Sequence, residues 1–220
     1  MPARRSKKNS DPRRPQITEG RRGKSKVLAR LTPDESGRVL RALLERHPEL
    51  AAEAEELAAA TVTDVDVQAV ADDVEHAVLC LDIDQLNARA GRTRWGYVEP
   101  TDAASELLGE AIDPFLAEMT RHIELAFEAA AIAQCAGIVL GLHRCRGKNS
   151  DEILGWAEDF PAETAGYAVA TLARDSAAKY RRAWRLPEAV VDQVQDWAEM
   201  IARCSRPPSR GRRRGASYNT

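Results

Sequence analysis

A short segment inside the chain combines cations and aromatic rings in a way that could bind an anion. It reads Arg89-Ala-Gly-Arg92-Thr-Arg94-Trp95-Gly-Tyr97-Val-Glu99. Guanidinium groups bind carboxylates and phosphates through paired hydrogen bonds, and aromatic rings stack on bases or on cations. The candidate recognition residues on this glycine-hinged loop are Arg92, Arg94, Trp95 and Tyr97. In an alternative interpretation, the two aromatic residues fill a gap between helices and the arginines pair with nearby acids.

The two ends of the chain are strongly basic, although the formal net charge of the whole chain is only −2. Residues 1–26 hold ten Lys or Arg and two acids, a charge of +8, and residues 203–220 add +6. The residues between them, 27–202, therefore carry −16. Dense cations bind polyanions by releasing counterions, which requires no fixed fold. The candidate nucleic-acid contacts are Arg4, Arg5, Lys7, Lys8, Arg13, Arg14, Arg21, Arg22, Lys24, Lys26, Arg206, Arg210, Arg212, Arg213 and Arg214.

Other interpretations of the basic ends remain open at this point. The same residues could be solvated linkers, contacts to an acidic protein, or arms that fold back on the acidic middle. Among the tail cations the only interleaved aromatic residue is Tyr218, so base stacking by the tails is not indicated.

The chain lacks the spacings that metal sites and common catalytic sites use. No Cys-x-x-Cys, His-x-x-x-His, phosphate-cradling glycine loop or nucleophile elbow occurs. Glu118 and His122 share a helix face and are interpreted as an ordinary surface pair, and Cys80 and Cys135 as small core residues. We therefore expect a protein that is not an enzyme and needs no cofactor.

Cysteine spacing and hydropathy indicate the compartment. Four widely spaced cysteines in a chain of 220 residues favour a reducing environment, and the basic N-terminal stretch does not read as a secretion leader. The longest apolar run, residues 129–142, is too short to cross a bilayer. The sequence predicts a cytoplasmic protein that does not enter a membrane, and it leaves the oligomeric state open.

Helix signals recur between the tails. Thr32 to Glu35 form a capping box with proline at the first helical position, which predicts a helix to about Arg46. Apolar residues at helical spacing predict further helices over about 67–81, 129–142 and 161–184. The helix over about 100–127 is expected to be kinked or split at Pro114. The helix from Pro161 either continues past Asp175 or is interrupted there and resumes through Tyr180 and Trp184. A last helix is expected to start at Pro187.

These signals predict an all-α fold of antiparallel helical hairpins, arranged as a bundle or a short α-solenoid, because no strand pattern competes in the core. The tails hold almost nothing to bury, so we expect them to be disordered. The predicted organisation is a basic tail over 1–26, one helical domain over 27–204, and an arginine-rich tail over 205–220.

One region resembles a known family. Trp95-Gly96-Tyr97-Val98-Glu99, the aliphatic pairs Leu107-Leu108, Ala111-Ile112 and Phe115-Leu116, and the Ala-Gly-rich helix from Cys135 to Leu142 form the similar region. It is similar to the helical region that accompanies SWIM-type zinc fingers in bacterial and archaeal proteins. The resemblance implies stacked helical hairpins that serve as an interaction platform. The Cys-x-Cys pair and later Cys-x-His of the zinc finger are absent, so no zinc role is carried over.

The leading hypothesis is a non-enzymatic helical interaction protein, whose core binds a protein partner while its tails contact nucleic acid nonspecifically. A second hypothesis is a small-molecule binding protein or enzyme with an anion site at the Arg92–Tyr97 loop. A third is a structural subunit whose tails bind an acidic protein.

Overall fold

The structure is a computed structural model that describes residues 27–94, 96–148, 152–180 and 184–206. The described chain is helical apart from one two-stranded sheet, which confirms the predicted all-α fold. The α-helices are α1 (Pro33–Arg46), α2 (Ala51–Thr63), α3 (Val67–Leu79), α4 (Ile83–Arg89), α5 (Pro100–Glu124), α6 (Glu128–Cys145), α7 (Ile153–Trp156), α8 (Phe160–Tyr180), α9 (Glu188–Val191) and α10 (Ala198–Cys204). The strands are β1 (Gly91–Thr93) and β2 (Gly96–Val98), and short 3-10 helices span Leu28–Arg30, Pro48–Leu50 and Gln195–Trp197.

The chain divides into two compact units, one ending at Ala54 and one beginning at Glu55. The boundary lies inside α2. The single helical domain over 27–204 stays a prediction. The two predicted tails lie outside the described residues, except for Ser205 and Arg206.

The described part of the first unit is built around α1, which begins at the predicted capping box. The Thr32 hydroxyl accepts a hydrogen bond from the Glu35 backbone N–H at 3.3 Å, and the Glu35 carboxylate accepts one from the Thr32 backbone N–H at 2.9 Å. These bonds satisfy two amides that the helix start would otherwise leave unpaired. They also hold the pKa of Glu35 below its ordinary value, with the Thr32 backbone bond the larger cause.

The core of the second unit is organised around α6. This Ala-rich helix packs against α3, α5 and α8, and most of its length is buried. Small residues let the backbones approach closely. A Cβ placed on Gly141 would lie 2.6 Å from the backbone oxygen of Ala71, and one on Gly137 would lie 2.5 Å from the Cβ of Val70. Where α3 crosses α6, Gly137 and Gly141 leave room for the neighbouring helix, because a larger side chain at either position would clash with α3.

Two helices continue where the sequence allowed a break. The helix α5 is not split at Pro114, and α8 runs through Asp175. The alternative of a kink at Pro114 stays a prediction. Proline at position 114 removes one hydrogen bond to the carbonyl of Glu110. Pro114 and Glu110 are both exposed, so water can donate a hydrogen bond to the Glu110 carbonyl instead.

The prediction of one continuous helix from Pro187 is wrong. Instead of one helix from Pro187, the chain forms α9, a 3-10 helix over Gln195–Trp197, and α10. Four apolar residues of this segment, Val190, Val194, Trp197 and Ile201, are nevertheless buried. No Pro or Gly in the sequence marks the point where the helix is interrupted.

Candidate functional site

The segment predicted to be a glycine-hinged loop forms a β-hairpin. The strands β1 and β2 pair antiparallel, with Arg92 opposite Tyr97 and Thr93 opposite Gly96. Cross-strand partners lie on the same face of a two-stranded sheet, so the Arg92 and Tyr97 side chains are neighbours. Gly96 has a φ of +141°, a backbone conformation that side chains other than glycine rarely adopt.

The base of the hairpin is anchored to the helical core. Arg89 donates two hydrogen bonds to the Glu110 carboxylate in α5, at 2.7 and 2.6 Å, immediately before β1 begins. These bonds hold the pKa of Glu110 below its ordinary value. At the same base of the hairpin, Ala90 and Val98 pack against the buried core. The hairpin is therefore positioned by a bidentate ion pair and by two apolar contacts.

The paired strands of the hairpin carry exposed side chains. Tyr97 is 64% exposed, and Arg92 is exposed and forms no ion pair with any described residue. Together with Arg94 and Gly96 they line an open depression of about 540 Å³. Tyr97 therefore does not fill a gap between helices, as the alternative interpretation required. Trp95, the fourth candidate residue, lies outside the described residues.

The candidate nucleic-acid contacts fall almost wholly outside the described part of the chain. Only Arg206 of the fifteen lies within it, exposed just after α10. The described residues therefore bring together three of the four residues of the recognition loop, whereas the tail contacts stay a prediction.

His122 corrects the interpretation of Glu118 and His122 as a surface pair. The imidazole is only 2% exposed, and its Nε2 lies 3.6 Å from the Glu118 carboxylate, beyond hydrogen-bonding distance. Its Nδ1 is buried without a hydrogen-bond partner among the described residues. Burial lowers the pKa of His122, against a smaller opposing effect of Glu118. The sequence carries a signal for this burial, since His122 follows Phe115 and Met119 at helical spacing on the apolar face of α5.

Of the two cysteines predicted to lie in the core, Cys135 is buried and Cys80 is not, and Cys145, for which burial was not predicted, is also buried. Cys135 and Cys145 are fully buried, and burial raises the pKa of each thiol to about 12. Cys80 is instead exposed at the end of α3, with its Sγ 3.4 Å from the His76 ring.

Within the described ranges, no group of three or more His, Cys, Asp or Glu side chains is arranged to hold a metal ion. No helix in those ranges is long and apolar enough to span a membrane.

Comparison with known proteins adds no relative: no family model, no curated protein and no solved structure matches the chain. The resemblance to the region beside SWIM-type zinc fingers therefore stays a prediction.

Sequence reasoning missed a groove between α5, α7 and the start of α8. Glu158 and Asp159 line this groove together with Trp156 and Tyr167. The signal that could have indicated it is the i, i+4 spacing of Asp159, Glu163 and Tyr167, which places all three on one face at the start of α8.

Proposed function

We propose that this protein is a non-enzymatic helical interaction protein whose basic ends bind nucleic acid without reading its sequence. The observation that carries the proposal is the segregation of charge, with +8 over residues 1–26, −16 over 27–202 and +6 over 203–220. Because an acidic middle repels phosphates, nucleic acid meets attractive charge chiefly at the two ends. Such contacts give dissociation constants of roughly 10⁻⁴ to 10⁻⁶ M near physiological salt.

A protein partner for the helical part is supported by the surface of α1. This helix buries none of its residues, and Val39, Leu40 and Leu43 are each 44% to 49% exposed. Three large aliphatic side chains on one face of a helix are typical of a surface that packs against another protein. In this proposal, the helical part binds a protein partner and the tails bind nucleic acid.

The first experiment separates nucleic acid from an acidic protein as the partner of the tails. The full chain and a tail-neutral variant, in which the fifteen candidate tail cations are replaced by Ser or Gln, are purified from cell extract with and without nuclease. We expect nucleic acid to copurify with the full chain only, and nuclease to remove it. A protein that stays bound after nuclease treatment, and that the tail-neutral variant loses, would instead support a structural subunit with an acidic partner.

A second candidate function is anion binding at the hairpin, and the exposure of Arg92 beside Tyr97 favours it. A guanidinium next to an exposed aromatic ring can pair with a phosphate or carboxylate while the ring stacks on the rest of the ligand. The arrangement suits a nucleotide or a small carboxylate.

Thermal shift tests this second function directly. The full chain is screened against nucleotides and carboxylates, and each stabilising ligand is tested again on Arg92→Ala and Arg94→Ala. A ligand at about 100 times its dissociation constant stabilises a protein by about 2.7 kcal/mol, which is a measurable rise in Tm. Arg38→Ala on α1 is the control and should keep the rise. A rise that survives both hairpin variants would place the ligand elsewhere.

A further inference from the structure

The groove between α5, α7 and α8 has an unusual lining for a surface of this protein. It has a volume of about 670 Å³ and presents Asp113, Glu158, Asp159 and Glu163, with no Lys or Arg among the described residues that line it. None of these four carboxylates forms an ion pair with a described residue, whereas Glu110, Asp72 and Glu75 elsewhere on the same unit each have a cationic partner. The groove therefore concentrates uncompensated negative charge, which a cationic ligand would neutralise.

Aromatic rings lie beside these carboxylates. Trp156 and Tyr167 line the groove and are 47% and 57% exposed, and Phe160 forms a partly buried part of its wall. A guanidinium stacks on the face of an aromatic ring while its N–H groups donate to carboxylates, and arginine makes both contacts at once. The pairing of exposed rings with carboxylates therefore fits arginine side chains better than lysine, a metal ion or an anion.

The end of the described chain lies close to this groove. The helix α10 packs against α8, and a Cβ on Gly166 would lie 3.3 Å from the Sδ of Met200 and 3.5 Å from the Sγ of Cys204. Gly166 directly precedes Tyr167, so residue 204 lies within a helix turn of the groove wall. Residues 207–220 follow, and fourteen extended residues reach roughly 45 to 50 Å. The segment holds Arg210, Arg212, Arg213 and Arg214.

We infer that the groove between α5, α7 and α8 is a binding site for an arginine-rich peptide, and that residues 207–220 of the same chain occupy it. The four carboxylates of the groove match the four arginines of the segment in number and sign. The tether keeps the segment at a high effective concentration beside the groove, so individually weak contacts are sufficient for docking.

Fluorine NMR on the full chain labelled with 5-fluorotryptophan tests the occupancy of the groove. The variant Trp156→Phe identifies the resonance of Trp156. The tail variant replaces Arg210, Arg212, Arg213 and Arg214 by Ser. We expect this variant to shift the Trp156 resonance and to leave the Trp184 and Trp197 resonances in place. Added salt should shift the Trp156 resonance of the unchanged chain toward that of the tail variant, and should have little effect on the variant itself.

Matched carboxylate variants provide the control. Glu158→Gln, Asp159→Asn and Glu163→Gln together should abolish the effect of the tail variant on Trp156. Glu53→Gln, Glu55→Gln and Glu56→Gln together, on α2, should preserve it. An identical Trp156 resonance in the tail variant and the unchanged chain would overturn the inference. A resonance that moves on dilution of the unchanged chain would also overturn it, because the occupant would then be the tail of a second copy.

Competition with nucleic acid is the one consequence that rests on the proposed function. A docked tail is not free to contact phosphates. The variant with Glu158→Gln, Asp159→Asn and Glu163→Gln should therefore bind an oligonucleotide about twofold tighter if half of the tails are docked in the unchanged chain. If the protein does not bind nucleic acid at all, the proposed function fails, while the NMR result still decides whether the tail occupies the groove.

Discussion

At the scale of single residues, the buried imidazole of His122 is the group that couples stability to pH. Burial lowers its pKa in the folded protein below the ordinary value of 6.5. As pH falls through that value, the unfolded chain takes up the proton first, so the folded state loses stability. The loss continues until the pH reaches the lower pKa of the folded state. Stability contributed in this way is present at neutral pH and declines in mild acid.

Replacing His122 should therefore flatten the pH profile. We expect His122→Leu to lose part of the decline in the free energy of unfolding between about pH 7.5 and pH 5. His143, whose pKa burial also lowers, should account for part of what remains. Removing a buried nitrogen without a partner should also avoid a cost of about 1–3 kcal/mol, which offsets the change in packing at neutral pH. Urea unfolding across the pH range measures both effects.

A second substitution separates the two effects at this position. His122→Gln cannot take up a proton, but it keeps a buried polar group. It should flatten the profile as Leu does, yet be less stable than His122→Leu at neutral pH. If both variants keep the full decline of the unchanged chain, His122 is not the group responsible.

At the scale of elements, the crossing of α3 and α6 depends on two glycines. Gly141→Ala would place a methyl group 2.6 Å from the backbone oxygen of Ala71, and a backbone atom cannot rotate out of the way. We expect a loss of about 1–3 kcal/mol or more in the free energy of unfolding, although alanine is the better helix former. Chemical denaturation measures this loss.

Gly109 in α5 is the matched control, since a Cβ there would meet nothing within 4 Å. Gly109→Ala should stabilise the protein by about 0.5–1 kcal/mol, because it removes the conformational freedom of glycine without creating a clash. If the two substitutions had the same effect, the helices would not be in close contact at Gly141.

The elements also show how far sequence reasoning reached. Capping chemistry and apolar periodicity predicted α1, α3 and the central helix α6, because both signals are local. The hairpin was missed because its strands are three residues long and too short to show alternation. The residues of the groove come from α5, α7 and α8, so their proximity depends on tertiary packing. The candidate recognition loop is proposed from its residue types alone, whereas its strand pairing comes from the structure.

At the scale of the whole molecule, opposite charges are separated along one chain. In the proposed function, the acidic middle limits where a polyanion binds, and the basic ends provide the attraction. The same separation supports the proposed docking of residues 207–220 in the groove. The arginines of that segment would then contact either nucleic acid or the carboxylates of the groove. The balance between them should shift with ionic strength, because both contacts are electrostatic.

The most direct test of the proposed function is the salt dependence of oligonucleotide binding, measured by fluorescence anisotropy on the full chain and the tail-neutral variant. If six to ten tail cations contact phosphates, the affinity of the full chain for duplex DNA should fall roughly 10³- to 10⁵-fold between about 50 and 200 mM salt. The tail-neutral variant should bind weakly at every salt concentration. Equal affinity and equal salt dependence in the two proteins would contradict the account.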